Sequence, residues 1–267
     1  MTVAEARPPE ALVSFVGAGP GDPELITLKG LRRLRAADVV IHDRLIPAAL
    51  LVQARPDAEI IDAGKAPGRH CPAQEDINRL IVDRATRGGR VVRLKGGDPS
   101  LFGRLGEELA AVRAAGLPFE VIPGVTAATA AAAPAGISLT ERRSASTVVL
   151  ATGTDHTGRP ATGLDWELLA RPDVTAIFYM AVRGLDTITT ALRAFGRDPR
   201  EPALVVERAW TPAGRILAGG LGDIAGVARE AGAEAPALLI VGPTVAAAGA
   251  MAGAGAGRAG VAVLAGV

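Results

Sequence analysis

One stretch restricts this chain more than any other. Residues 91–108 read V-V-R-L-K-G-G-D-P-S-L-F-G-R-L-G-E-E. An apolar β-type run reaches two glycines and meets a helix-start signature, with Asp98 suited to the N-cap and Pro99 to the first helical position. The pattern predicts strand, tight bend and helix in immediate succession. Gly96 and Gly97 would leave the backbone bare at the carboxyl end of a strand, where open α/β sheets hold their ligands. A plain tight turn would use the same residues, so the remaining loops have to decide.

Other loops follow the same plan. Leu12 to Val16 ends in Gly17-Ala18-Gly19-Pro20-Gly21-Asp22-Pro23. The spacing is G-x-G-x-G rather than the dinucleotide G-x-G-x-x-G, and Asp22, placed to cap a helix, competes with a pyrophosphate for its positive end. Leu25, Leu28, Leu31 and Leu34 predict one face of that helix. Asp38 to Ile41 ends at His42-Asp43-Arg44, where the acid could bind a ribose, act as a base or sit solvated. Further strands are expected at Ala58–Asp62 and Phe119–Ile122, with a helix over Gln74–Thr86.

Strands alternating with helices predict a mostly parallel sheet over residues 11–123. The small residues of Val125–Ala135 suit a crossing into a second α/β domain, 124–245. Its strands are expected at 147–151, 176–180, 203–206 and 237–241, and its helices at 185–195 and 224–231. Residues 1–10 and the low-complexity stretch 246–267 are expected to be flexible. Gly-Asp-Pro recurs at 21–23 and 97–99, which predicts that two parallel strands end at one edge of the sheet.

Composition removes several functions. A net charge of +1 and an aromatic share of 3% argue against nucleic-acid binding. Cys71 stands alone, and with three histidines (His42, His70, His156) a metal site is not expected. Met1–Glu10 is no signal peptide, and the uncharged span 236–257 holds Pro243 and weakly apolar Ala and Gly, so no membrane helix is expected. A cytoplasmic location follows.

Taken together, V-G-A-G-P-G-D-P-E-L-I-T-L-K-G at 16–30, V-V-R-L-K-G-G-D-P at 91–99, F-G-R-L-G-E-E at 102–108 and V-I-P-G-V-T-A at 121–127 resemble the tetrapyrrole methyltransferase family. H-D-R-L at 42–45, G-K at 64–65, H-C-P-A-Q-E-D-I-N at 70–78, L-T-E-R at 139–142 and F-Y-M at 178–180 are similar to its branch acting on uroporphyrinogen III. The resemblance spans about Val13–Val241.

It implies two α/β domains with S-adenosylmethionine (SAM) in a trough between them, a homodimer, and methylation of uroporphyrinogen III at C2 and C7 to precorrin-2, toward sirohaem and cobalamin. Later steps would fall to other proteins. By motif position the donor would meet Pro20, Gly96, Gly97, Asp98, Leu101, Thr126, Ala127, Met180, Ala209 and Ala237. Asp43 and Lys65 match positions of proton transfer, and Arg104, Glu107 and Arg142 positions of substrate handling. His42, Leu105 and Glu141 depart from the usual pattern.

The chemistry suits these residue types. Methyl transfer from a sulfonium is an in-line displacement that asks for orientation and a dry site. A polycarboxylate ring asks for guanidinium forks, and Arg44, Arg69, Arg104, Arg142 and Arg143 all fall in loops. A sibling methyltransferase with another acceptor, or a non-catalytic Rossmann-like module, stays open.

Overall fold

The computed structural model describes residues 12–64, 73–155, 161–250 and 260–263. They divide into two compact units, up to Thr126 and from Ala127 onward.

In the first unit β1 (Leu12–Gly17), β2 (Val39–His42), β3 (Glu59–Asp62), β4 (Arg90–Lys95) and β5 (Phe119–Ile122) form one sheet of order β3-β2-β4-β1-β5. Every pairing is parallel. A parallel sheet covered on both faces needs strands that are apolar on both sides. β1 meets that demand, being buried along its length. Alternation divides its side chains: Val13 and Phe15 face α3 (Gln74–Thr86), whose Ile77 and Ile81 fill that side, with Val112 of α4 (Leu105–Ala114). Val16 faces α1 (Leu28–Ala36) and α2 (Ala48–Leu51), which contribute Leu34 and Leu50.

In the second unit α5 (Ala127–Ala132) precedes β6 (Thr147–Thr152), α6 (Trp166–Leu169), β7 (Val174–Tyr179) and α7 (Leu185–Ala194). Then come β8 (Pro202–Glu207), β9 (Arg215–Gly220), α8 (Ile224–Glu230), β10 (Ala237–Val241) and β11 (Gly260–Val263). The sheet order is β11-β9-β8-β10-β7-β6, parallel only between β6 and β7. Leu169, Ile188, Leu192 and Ile224 pack on one face, and the alanines of α5 with Ile137 and Val245 on the other. Among the described residues no helix is long and apolar enough to cross a membrane.

Four expectations need correction. Asp22 caps only the short 3-10 turn Pro23–Leu25, accepting from the Glu24 amide at 2.8 Å. Thr27 caps α1 instead, so the leucine stripe breaks: Leu28 is 77% exposed, while Gly30 and Leu34 face inward. The helix expected from Pro99 begins six residues later, at Leu105. β9 is an added strand, since its Gly219-Gly220 end reads as a turn. Gly260–Val263, within the expected flexible tail, pairs with β9.

Glu120 ties three elements of the first unit together. Its carboxylate accepts from Ser14 of β1 at 3.0 Å, pairs with Lys29 of α1 at 2.7 Å and is bonded by Arg33. Burial pushes its pKa up, but Arg33, Lys29 and Ser14 outweigh burial and hold it at about 2, against 4.5 unperturbed. The folded value lies below the unfolded one, so the stabilisation is full above pH 4.5 and is lost as pH falls toward 2. Glu120→Gln is expected to remove ~2 kcal/mol at pH 7 and almost nothing near pH 2, read by denaturant unfolding at both pH values.

Candidate active site

The carboxyl edge of the first sheet is drawn together by backbone. β1 and β4 run in register to Gly17 and Lys95, and Ala18 then donates to the Lys95 carbonyl at 2.8 Å. One step on, Gly97 donates to the Gly19 carbonyl at 2.7 Å and Gly19 returns a bond at 3.2 Å. The two Gly-Asp-Pro loops therefore leave the same edge, as their echo predicts. Gly97 has φ +67°, a left-handed conformation that glycine adopts without strain.

Gly17 and Gly124 permit the closest approach. A Cβ on Gly124 would lie 2.3 Å from the Gly97 carbonyl oxygen and 2.8 Å from the Gly17 Cα. Gly96 is the opposite case: it is exposed, and a Cβ there would meet nothing nearer than Leu45 at 4.0 Å. Of the two glycines in the bend, one serves the crossing of chains and the other leaves peptide groups open.

Asp98 works on backbone rather than on the helix expected after it. One carboxylate oxygen accepts from the Ser100 amide at 2.8 Å and the other from the Gly124 amide at 3.0 Å. It thus fastens the loop after β4 to the loop after β5. Phe102 and Arg104 beyond it carry left-handed φ values of 53° and 55°. Non-glycine residues in that region cost of order 1 kcal/mol each and cluster at ligand sites.

The arginine fork at 104 is already engaged. Its Nε and Nη2 donate to the two carboxylate oxygens of Glu107, each at 2.7 Å, and both side chains are half-exposed. Arg104 holds the Glu107 carboxyl below the usual range. Arg142 and Arg143 of the second unit sit at the tip of a tight turn closed by Glu141 and Ala145, which exchange bonds of 2.8 and 2.9 Å. Both are exposed and, with exposed Arg44, show no hydrogen bond or ion pair among the described residues.

Three charges that the sequence reading passed over lie beneath Asp43. Arg93 bonds Asp43 through Nη2 and Glu108 through Nε at 2.9 Å, and Lys95 donates to Glu108 at 2.8 Å. Glu108 is 0% exposed, and the Arg93 and Lys95 side chains 3% each. Burial and then the Arg93 charge push the Lys95 pKa down. Burial opposes charge on Arg93 as well, but Asp43 and Glu108 outweigh it and raise its pKa. The available signal was two cations at i and i+2, hence on one face, in the central strand of a covered sheet.

In the first unit, then, Pro20, Gly96, Gly97, Asp98 and Leu101 lie on loops of one sheet edge, with Asp43 bonded to Leu94 beside them. Thr126 ends that unit. Lys65, like Arg69, His70 and Cys71, lies outside the described residues. In the second unit the Tyr179 hydroxyl accepts from the Ala128 amide at 3.1 Å, joining the start of α5 to the end of β7. Ala127 and Ala209 pack on that face of the sheet, whereas the Ala237 methyl is buried on the opposite one. Met180 follows β7 with φ +54° and is half-exposed.

A parallel α/β unit with a glycine-built carboxyl edge, followed by a mixed-sheet unit, has the architecture of the tetrapyrrole methylase fold. The chain belongs to the tetrapyrrole (corrin/porphyrin) methylase family, whose profile matches residues 12–225. Siroheme synthases of Gluconacetobacter diazotrophicus and Zymomonas mobilis are 47% and 46% identical to it over 87% and 88% of this chain. The chain spans about half the length of those relatives, 49% of each. Uroporphyrin-III C-methyltransferase from Thermus thermophilus, solved in complex with S-adenyl homocysteine, is 41% identical with a TM-score of 0.74, over 88% of this chain and 99% of that one. A cobalt precorrin-4 methyltransferase structure has a TM-score of 0.80 at 28% identity, over 91% and 99%.

The glycines separate in a stability measurement. Gly124→Ala presses a methyl onto two backbones and is expected to destabilise by about 1–3 kcal/mol. Gly96→Ala should stay within about 0.5 kcal/mol of the parent in the same chemical denaturation.

Proposed function

We propose that this chain is a SAM-dependent C-methyltransferase that methylates uroporphyrinogen III at C2 and C7, yielding precorrin-2 for sirohaem or cobalamin synthesis. The observation that carries this reading is the open backbone at Gly96 beside a rigid Gly19–Gly97 crossing, in a chain 41% identical to a uroporphyrin-III C-methyltransferase solved with the demethylated donor. The space beside Gly96 is a cradle that a methyl would begin to fill, which fits a donor held by peptide groups.

Bound SAM supplies an electrophilic methyl group on a sulfonium. The chain's own residues then have three tasks. The peptide groups at Gly96 and Gly97, with Pro20, Asp98, Leu101 and Thr126, hold and orient the donor, and Ala127, Met180 and Ala209 do so from the second unit, where Ala237, its methyl on the opposite face, offers main chain alone. Arg142, with Arg104 beside Glu107, grips substrate carboxylates through guanidinium forks. Asp43 accepts the proton that the ring system sheds once the new C–C bond has formed, and Lys65 acts as proton donor. A homodimer acting in the cytoplasm, without nucleic-acid or membrane partners, accords with the motif resemblance and the near-neutral charge.

The TM-score of 0.80 to a cobalt precorrin-4 methyltransferase favours a second reading, with the same donor site and a later precorrin as acceptor. Anaerobic incubation with SAM and uroporphyrinogen III decides between them. A product heavier by two methyl groups is expected; no turnover of uroporphyrinogen, with turnover of a methylated precorrin, would favour the second.

Calorimetry should show binding of SAM and its demethylated product but not NAD, and Gly96→Ala should weaken SAM by about tenfold or more. Arg142→Ala is expected to raise the uroporphyrinogen KM about tenfold while SAM affinity stays within twofold, about 1.4 kcal/mol of substrate binding.

A further inference from the structure

Buried charge in the central strand of the first sheet asks for an explanation. A buried ion pair adds little net stability, and apolar side chains of similar volume often serve a core better. Yet Arg93, Lys95 and Glu108 are all buried, and the line of charges they form ends on Asp43, whose side chain is 35% exposed. The sequence Asp43, Arg93, Glu108, Lys95 alternates in sign and sums to zero.

The guanidinium has no freedom left. Nε is held by Glu108 at 2.9 Å, Nη2 by Asp43, and Nη1 reaches the carbonyls of Ile41 and Leu94 at 3.4 Å each. Glu108 is fixed in turn by Lys95 at 2.8 Å and by Gln74 at 3.4 Å. The Asp43 amide donates to the Leu94 carbonyl at 3.2 Å, so its main chain is also anchored to β4. Arg93 engages Oδ1 of Asp43, and a carboxylate pinned through one oxygen presents the other in a fixed direction.

We propose that Arg93, locked by the fully buried Glu108, is a positioning residue that aims the Asp43 carboxylate at the substrate. The inference rests on the reading of Asp43 as the proton acceptor. Among the described residues, the charged and titratable groups in the network around Asp43 are Arg93 and Lys95 of β4, Glu108 of α4 and His42 of β2, whose Nδ1 lies 2.9 Å from the Asp43 carbonyl oxygen. Of these, Arg93 is the one in direct contact with the carboxylate.

The test compares kcat and the uroporphyrinogen KM for the full chain, Arg93→Gln, Arg93→Lys and Asp43→Asn, with SAM affinity measured separately. Arg93→Gln removes the contact that holds the Asp43 carboxylate, so kcat should fall about tenfold while KM and SAM affinity stay within about twofold. Arg93→Lys keeps the charge but cannot span both carboxylates, so its kcat should also fall about tenfold with KM unmoved.

An unchanged kcat in Arg93→Gln overturns the proposal, as does an unchanged kcat in Arg93→Lys, which also decides the matter if Arg93→Gln does not fold. Asp43→Asn with full activity would instead overturn the reading of Asp43 as the base.

Discussion

Close contact between bare backbones is the constraint on which the carboxyl edge of the first unit's sheet depends. Gly17 ends β1, Gly97 and Gly124 lie in the loops after β4 and β5, and each stands where a side chain on another would collide with peptide atoms. Hydrogen bonds between Gly19 and Gly97, and from Gly124 to Asp98, then convert proximity into a fixed arrangement. Because the sheet is parallel, all three lie at the same end. Topology supplies the convergence and small residues make it tight.

Behind that edge the unit combines two kinds of interior. One face of the sheet is filled by aliphatic side chains of α1 and α2, and the other mixes Ile77, Ile81 and Val112 with the charge line ending at Asp43. Ion pairs in such surroundings are sensitive to the loss of one partner, because the survivor keeps its desolvation penalty. The same sensitivity makes them effective at holding one geometry. Glu120, on the edge strand β5, is a more ordinary case in which a carboxylate near the surface joins neighbouring elements.

Much of this was legible in the amino-acid order. Apolar runs bounded by Gly and Pro located β5 and β10, and periodicity located α3. What the sequence hid has identifiable causes. The Asp98-Pro99 pair mimics a helix start because local spacing cannot reveal that the Asp98 carboxylate is taken by an amide 26 residues away. The 3-10 turn at Pro23–Leu25 rotates α1 enough to turn Leu28 outward. Adjacent Glu107 and Glu108 differ by about 100° around the helix. A reading by motif selects the exposed one, paired with Arg104, and overlooks the buried one that anchors the charge line.

The left-handed residues on either side of Gly103 carry a further consequence. Phe102 and Arg104 hold conformations that a relaxed chain would abandon, so the surrounding contacts keep this loop under tension. A loop already confined in this way surrenders little entropy on association. Glycine at either position would ease the tension while widening the set of shapes the loop samples. Robustness and aim would then pull in opposite directions, a trade-off set by two torsion angles.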